Sequence, residues 1–236
     1  GLLMYQLKSF QKGSDFNGLL HSTGFNATIA KFNLTSSAGI LNTKGANVKT
    51  QYYKHSVDLN RGIWKLILGV KENTEHNEFK NLAGDSLTVS SFAFREFSGY
   101  VNTKDSLKNQ FGVIYKKRYD DGVGNNRFSP ATESDEINAT AAFTKNQNHQ
   151  LRIFSTYRVL KVIDSTLTQQ AAAKTLLNRI DHSLSLWKGV FSATTFYEIG
   201  TGQERKLEYY FLLVPAGQGT YIYRNDDNNN GVKDLD

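Results

Sequence analysis

Residues 150–164 read QLRIFSTYRVLKVID, and their side chains sort with a period of two. Leu151, Ile153, Tyr157 and Val159 share one face, while Arg152, Thr156 and Arg158 share the other. That alternation predicts a long, half-polar β-strand. The same period runs through IWKLILGVKEN, aligning Trp64, Leu66, Leu68 and Val70, and through VFSATTFYEIG, aligning Phe191, Ala193, Tyr197 and Ile199. NQFGVIYKKRY and KLEYYFLLV repeat it. Many of these runs are well longer than the ordinary globular strand of about five or six residues. The pattern predicts an all-β, antiparallel up-and-down meander of about ten long strands. One segment departs from it. DSTLTQQAAAKTLLNRI offers Asp164 or Ser165 as an N-cap and then three alanines, predicting a short helix that ends by Lys174.

The connections carry a second signal. Tight turns are expected across 59–62, 102–106 and 145–149 and at Lys188-Gly189, and longer polar connections across 73–85, 120–136, 165–174 and 200–205. Alternate connections of a meander lie at opposite ends of the sheet. Gly62, Lys104, Gln147 and Gly189 are therefore expected at one end, and Glu78, Gly124, Gln170 and Gly202 at the other. Short turns at one end and long loops at the other are the habit of outer-membrane barrels. Arg95, Lys116, Arg118, Arg152, Arg158 and Arg179 lie well inside strands, where a polar barrel interior holds charge more readily than a dry core. Against this, Ser155, Asn178 and His182 interrupt apolar faces. Two architectures stay open: part of an outer-membrane-type β-barrel, or a soluble antiparallel β-sandwich or large open sheet.

Composition narrows the functional classes. The 236 residues include no cysteine, which removes disulfides, thiolate metal sites and a cysteine nucleophile. Hydrophobic residues make up only 39%, so much of the surface is wet. The formal charge of +6 is scattered along the chain, and its densest group, Lys116-Lys117-Arg118, alternates between faces, so no phosphate-tracking stripe forms and nucleic acid is not an expected partner. No stretch is apolar and long enough for a membrane helix, and the opening GLLMYQLKSF is too polar and short for a signal peptide.

Catalytic chemistry has no candidate. His21, His55, His76, His149 and His182 are dispersed, without the spacing of a zinc helix, and read as lone surface histidines. The glycine pairs in GVGNNR, GTGQER and AGQGTY complete no nucleotide-binding fingerprint and read as turn glycines, and Asp135-Glu136 points to opposite faces. The sequons at Asn26, Asn33 and Asn138 fall in predicted strands. An enzyme is not expected. The last segment, RNDDNNNGVKDLD, does carry a pattern. Asp226, Asn228, Asn230 and Asp234 have the spacing of calcium-loop oxygen ligands, with Gly231 at the turn and Val232 supplying its carbonyl. The acid that closes such loops would follow Asp236, so weak or no calcium binding is expected here, and no other cofactor.

The stretch TTFYEIGTGQERKLEYYFLLVPAGQGTYIYRNDDNNNGVKDLD, residues 194–236, resembles segments of large β-rich outer-membrane or cell-surface proteins of Bacteroidetes. In those proteins a Tyr-Glu-Ile-Gly strand end precedes a Gly-Gln-Gly-x-Tyr turn and an Asp-x-Asn-x-Asn-Gly loop. The resemblance implies that residues 1–236 form one β-rich unit, an internal piece of a longer chain. It implies a location at the bacterial outer membrane or cell surface, with outer-membrane lipid and other outer-membrane proteins as partners. The expected role is structural, transport-related or in assembly; the alternative is a soluble surface domain that binds a glycan or a protein.

Overall fold

The computed structural model describes residues 1–13 and 16–201. They form eleven strands: β1 (Leu2–Lys12), β2 (Phe16–Ile29), β3 (Phe32–Lys44), β4 (Val48–Ile63), β5 (Leu66–Asn81), β6 (Phe92–Thr103), β7 (Asn109–Gly124), β8 (Arg127–Asn146), β9 (His149–Val162), β10 (Ala173–Leu186) and β11 (Phe191–Thr201). All lie in one sheet in chain order, and each pairs antiparallel with its neighbours. The sheet belongs to a compact unit of residues 1–202. The meander expected from periodicity is thus present, with eleven strands in a single sheet. The described sheet is open, with β1 and β11 at its edges.

The connections at 30–31, 64–65, 104–108, 147–148 and 187–190 share one end and are all short. Gly62, Lys104, Gln147 and Gly189 lie at that end as expected. The opposite end is mixed: it holds the long connections 82–91 and 163–172 and the short ones 45–47 and 125–126, with Gly124 and Gln170, and Glu78 near the end of β5; Gly202 lies outside the described residues. Several boundaries differ from the sequence reading. The turn expected across 59–62 is strand, and the chain reverses at Trp64-Lys65, where Trp64 has φ of 52°. Trp64 therefore leaves the strand face assigned to it. Polar stretches expected as loops across 73–85 and 120–136 are largely strand: β5 runs to Asn81, and β7 and β8 reach a tight turn at Asn125-Asn126. Both asparagines have positive φ, 50° and 58°, the conformation of a type I′ hairpin. Residues 163–172 contain no helix. In place of an N-cap, the Asp164 carboxylate accepts hydrogen bonds from the Thr166 N–H and hydroxyl, an Asx turn that competes with helix initiation.

Register sorts the residues into two faces. One cross-strand row reads Leu34, Leu59, Val70, Gly99, Tyr115, Ile137, Tyr157, Leu176. One residue along each strand, on the other face, the row reads Thr35, Asp58, Lys71, Ser98, Lys116, Glu136, Arg158, Thr175. The apolar face is bare. Val70 is 58% exposed, Val113 51% and Ile199 51%, and the only buried hydrophobic residues among those described are Ala93 and Ala131. No helix or second sheet covers either face among the described residues; a short 3-10 turn, Trp187–Gly189, is the one other regular element.

Candidate functional site

Chemistry-bearing side chains gather on the polar face. In the row described above, the Lys116 ammonium donates to Glu136 Oε1 at 3.0 Å, and the Asn138 amide donates to the same oxygen at 2.6 Å. The Thr156 hydroxyl then donates to Asn138 Oδ1 at 2.6 Å. One row closer to the long loops, the Ser56 hydroxyl donates to Asn73 and the Asn73 amide donates to Glu96. Arg118 forks onto Asp120 Oδ1 through Nε at 2.9 Å and a terminal nitrogen at 2.7 Å, and its guanidinium lies 3.8 Å from the Phe94 ring centroid. Opposite charges directly across a strand pair stabilise the pairing, whereas like charges there would oppose it. The rows therefore reinforce the register that brings them together.

Nearer the short-turn end the network is one of neutral donors gathered on the Asp58 carboxylate. Thr28 donates to Asn33, Asn33 to Asn60, and Asn60 to Asp58, while the Tyr100 hydroxyl donates to both Asp58 oxygens at 2.9 and 3.1 Å. The Tyr100 ring reaches Asp58 by crossing Gly69, its cross-strand partner, and a Cβ at position 69 would overlap the ring. A glycine in mid-strand is thus required by a close approach.

The connection 163–172 folds across this face. The Ile163 and Asp164 N–H groups both donate to the Ala131 carbonyl, and Leu167 packs where Cβ atoms at Gly122 and Gly124 would otherwise stand. A bulge at the Asp120/Asp121 step of the β7–β8 pair leaves Ala131 unmatched and its carbonyl available to those donors. Ala131, Thr132 and Ser134 are buried beside it. The connection carries Gln170 to a cleft of about 320 Å³ also lined by Glu96, Lys116, Arg118, Asp120, Ser134, Glu136 and Arg158. Three cations and three carboxylates meet there with neutral amide and hydroxyl groups. The arrangement offers a small polar solute charged and hydrogen-bonding contacts and contains no nucleophile–base pair.

The polar residues that interrupt the apolar face find partners across the strands. Ser155 and Asn178 are register partners, and the Ser155 hydroxyl donates to Asn178 Oδ1 at 2.6 Å. His182 meets His149, with their Nε2 atoms 3.2 Å apart. In sequence these histidines read as unrelated. Their separation in sequence hides a diagonal pair, because Leu184 pairs with His149 and His182 with Leu151. Only the register reveals it. At the long-loop end the apolar face turns charged: Lys117 pairs with Glu133 at 2.5 Å and with Asp135 at 3.4 Å, while Lys116 reaches Glu136 on the other side. The basic triplet is therefore divided between faces, as period two requires.

Asp226, Asn228, Asn230, Val232 and Asp234, the calcium-loop pattern, lie outside the described residues. Among the described residues, no group of three or more metal-ligating side chains comes together. No family model, no curated protein and no solved structure matches the chain.

Proposed function

We propose that this sheet is the wall of a bacterial outer-membrane β-barrel, with the apolar face against lipid and the polar face lining an interior that admits small polar solutes. The observation that carries the reading is the bare apolar face. A sheet in water hides its apolar side under another layer, and a large contiguous exposed patch marks a partner or a membrane. Here that patch runs across the sheet, with nothing described above it.

Three further features support it. Strand lengths of 11 to 20 residues meet the roughly 9–11 needed to cross a bilayer at a tilt. Aromatic residues collect at two levels of the apolar face: Phe32, Phe111, Phe143 and Phe191 toward the short turns, and Tyr53, Phe97, Tyr115 and Tyr157 toward the long connections. Interfacial aromatic girdles flank the apolar band of such barrels. In the row of Phe97 the strands carry Glu72, Lys117, Asp135 and Lys174 on that face, with Lys161 one row further, a surface for water. Short turns then face the periplasm and the long connections the cell exterior. Within the barrel, the 163–172 connection narrows the charged interior, and transport of small polar solutes is the activity this geometry suits.

Fractionation of the native protein tests the reading. It predicts recovery with outer membranes, resistance to alkaline extraction, and insertion of the refolded chain into lipid vesicles. Quantitative recovery in the soluble extract would overturn it.

A further inference from the structure

His149 opens β9 and His182 lies in β10, on the apolar face near the short-turn end. Each backbone is fixed by antiparallel ladder pairing, and the β8–β9 turn just before His149 is tied to β10 by the Ser185 N–H donating to the Asn148 carbonyl. The two rings stand edge to face, centroids 4.7 Å apart and planes at 65°. Their Nε2 atoms face each other at 3.2 Å.

That distance has a chemical meaning. Two imidazole nitrogens on one tetrahedral ion, each about 2.0–2.1 Å from it, stand about 3.3–3.4 Å apart. The nitrogens are thus already at the edge length of a tetrahedral coordination shell, without rotation of either strand. His149 is exposed and His182 half-buried, so an ion reaches them from solvent and keeps water at its remaining positions. No carboxylate or ammonium group hydrogen-bonds to either ring among the described residues, so the ligand set is imidazole alone. Imidazole selects late first-row divalent ions over magnesium or calcium.

We propose that His149 and His182 form a two-histidine site for a late first-row divalent cation, copper or zinc in chemical class, that clips β9 to β10 at the short-turn end. An ion held by both strands stabilises the folded sheet by mass action, because the unfolded chain does not hold the two rings together. The site does not depend on the sheet lying in a membrane.

The test uses the full-length chain, refolded in detergent and freed of metal by chelation. Cu²⁺ and Zn²⁺ are added separately and followed by calorimetry, and the copper sample by electron paramagnetic resonance. We expect one saturable equivalent for each ion and a copper spectrum showing coupling to two imidazole nitrogens. His149→Gln and His182→Gln should each weaken binding by about tenfold or more, a loss that even removal of an outer-shell partner produces in built sites. His21→Gln, remote on β2, should leave binding unchanged. Circular dichroism confirms that each variant retains its sheet. Absence of saturable binding would overturn the proposal. So would binding that survives both substitutions, or loss on His21→Gln instead. A pair that merely hydrogen-bonds would lose stability on substitution in chelator and bind no ion, which also overturns it.

Discussion

Two neighbouring rows of this sheet, one residue apart along every strand, make opposite demands of their surroundings. Leu59, Val70, Tyr115, Ile137, Tyr157 and Leu176 expose carbon, whereas Asp58, Lys71, Lys116, Glu136, Arg158 and Thr175 expose charge and hydrogen-bonding groups. The backbone between them is the same ladder. The difference therefore comes wholly from side-chain alternation, and a one-residue slip in register would exchange the faces. Neither face is covered among the described residues, and on the proposed reading one meets lipid and the other water.

The largest expected effect breaks that match. Leu68, Val101, Val113 and Ile199 belong to one cross-strand row of the apolar face, which continues from Leu68 to Arg61 and Phe32. Arginine at Leu68 or Ile199 is expected to cost about 2–4 kcal/mol in lipid, measured by equilibrium unfolding from vesicles. Thr156→Arg on the polar face is expected to cost far less. Equal losses at Leu68 and Thr156 would show that the faces do not see different media.

Next comes the close approach on the polar face. Gly69→Val places a side chain where the Tyr100 ring lies and displaces its hydroxyl from Asp58. A cost of about 1–3 kcal/mol is expected. In a Tyr100→Ala background most of that cost should vanish, a double-mutant cycle that isolates the contact.

A smaller effect concerns the polar pair set in the apolar face. Ser155→Ala leaves the Asn178 amide without its partner, a loss of about 1 kcal/mol. Replacing both, Ser155→Ala with Asn178→Leu, should restore or raise stability if the surroundings are lipid, and should favour aggregation if they are water.

The faces were legible from sequence because period two survives any context that keeps the strand. Residues 150–162 show this best: every side-chain assignment made from the alternation holds in β9. The ends were not legible. Polar runs such as those after Asn73 and Asp120 resemble loops in composition, but they continue as strand because ladder hydrogen bonds and cross-strand ion pairs stabilise them where no apolar burial is required. The helix expected after Asp164 rested on alanine propensity, which the Asx turn and the Ala131 carbonyl contacts override. The polar-face network, the inward connection and the histidine pair depend on register between distant segments, which local patterns do not encode.

The smallest effect lies in that inward connection. The Asp164 carboxyl is exposed and is held below its ordinary value of 3.8 by hydrogen bonds, first from the Thr166 hydroxyl and then from its N–H. A depressed carboxyl stabilises the folded connection fully above the ordinary value, and this contribution is lost as pH falls below it through the lowered folded value. Hydrogen exchange at the Thr166 amide should therefore show protection that is flat from neutral pH down to mildly acid pH and weakens in strong acid. Asp164→Ala should lower protection at neutral pH and abolish the acid dependence.

The chain contains no cysteine, so a single spin label can be placed at will. Labels at positions 111 to 116 of β7, one at a time in the vesicle-reconstituted protein, test the two media directly through collision with oxygen, which concentrates in lipid, and with a water-soluble nickel chelate. The account predicts a period of two: positions 111, 113 and 115 favour oxygen, and positions 112, 114 and 116 favour the chelate. Uniform access of the chelate to all six positions would contradict it.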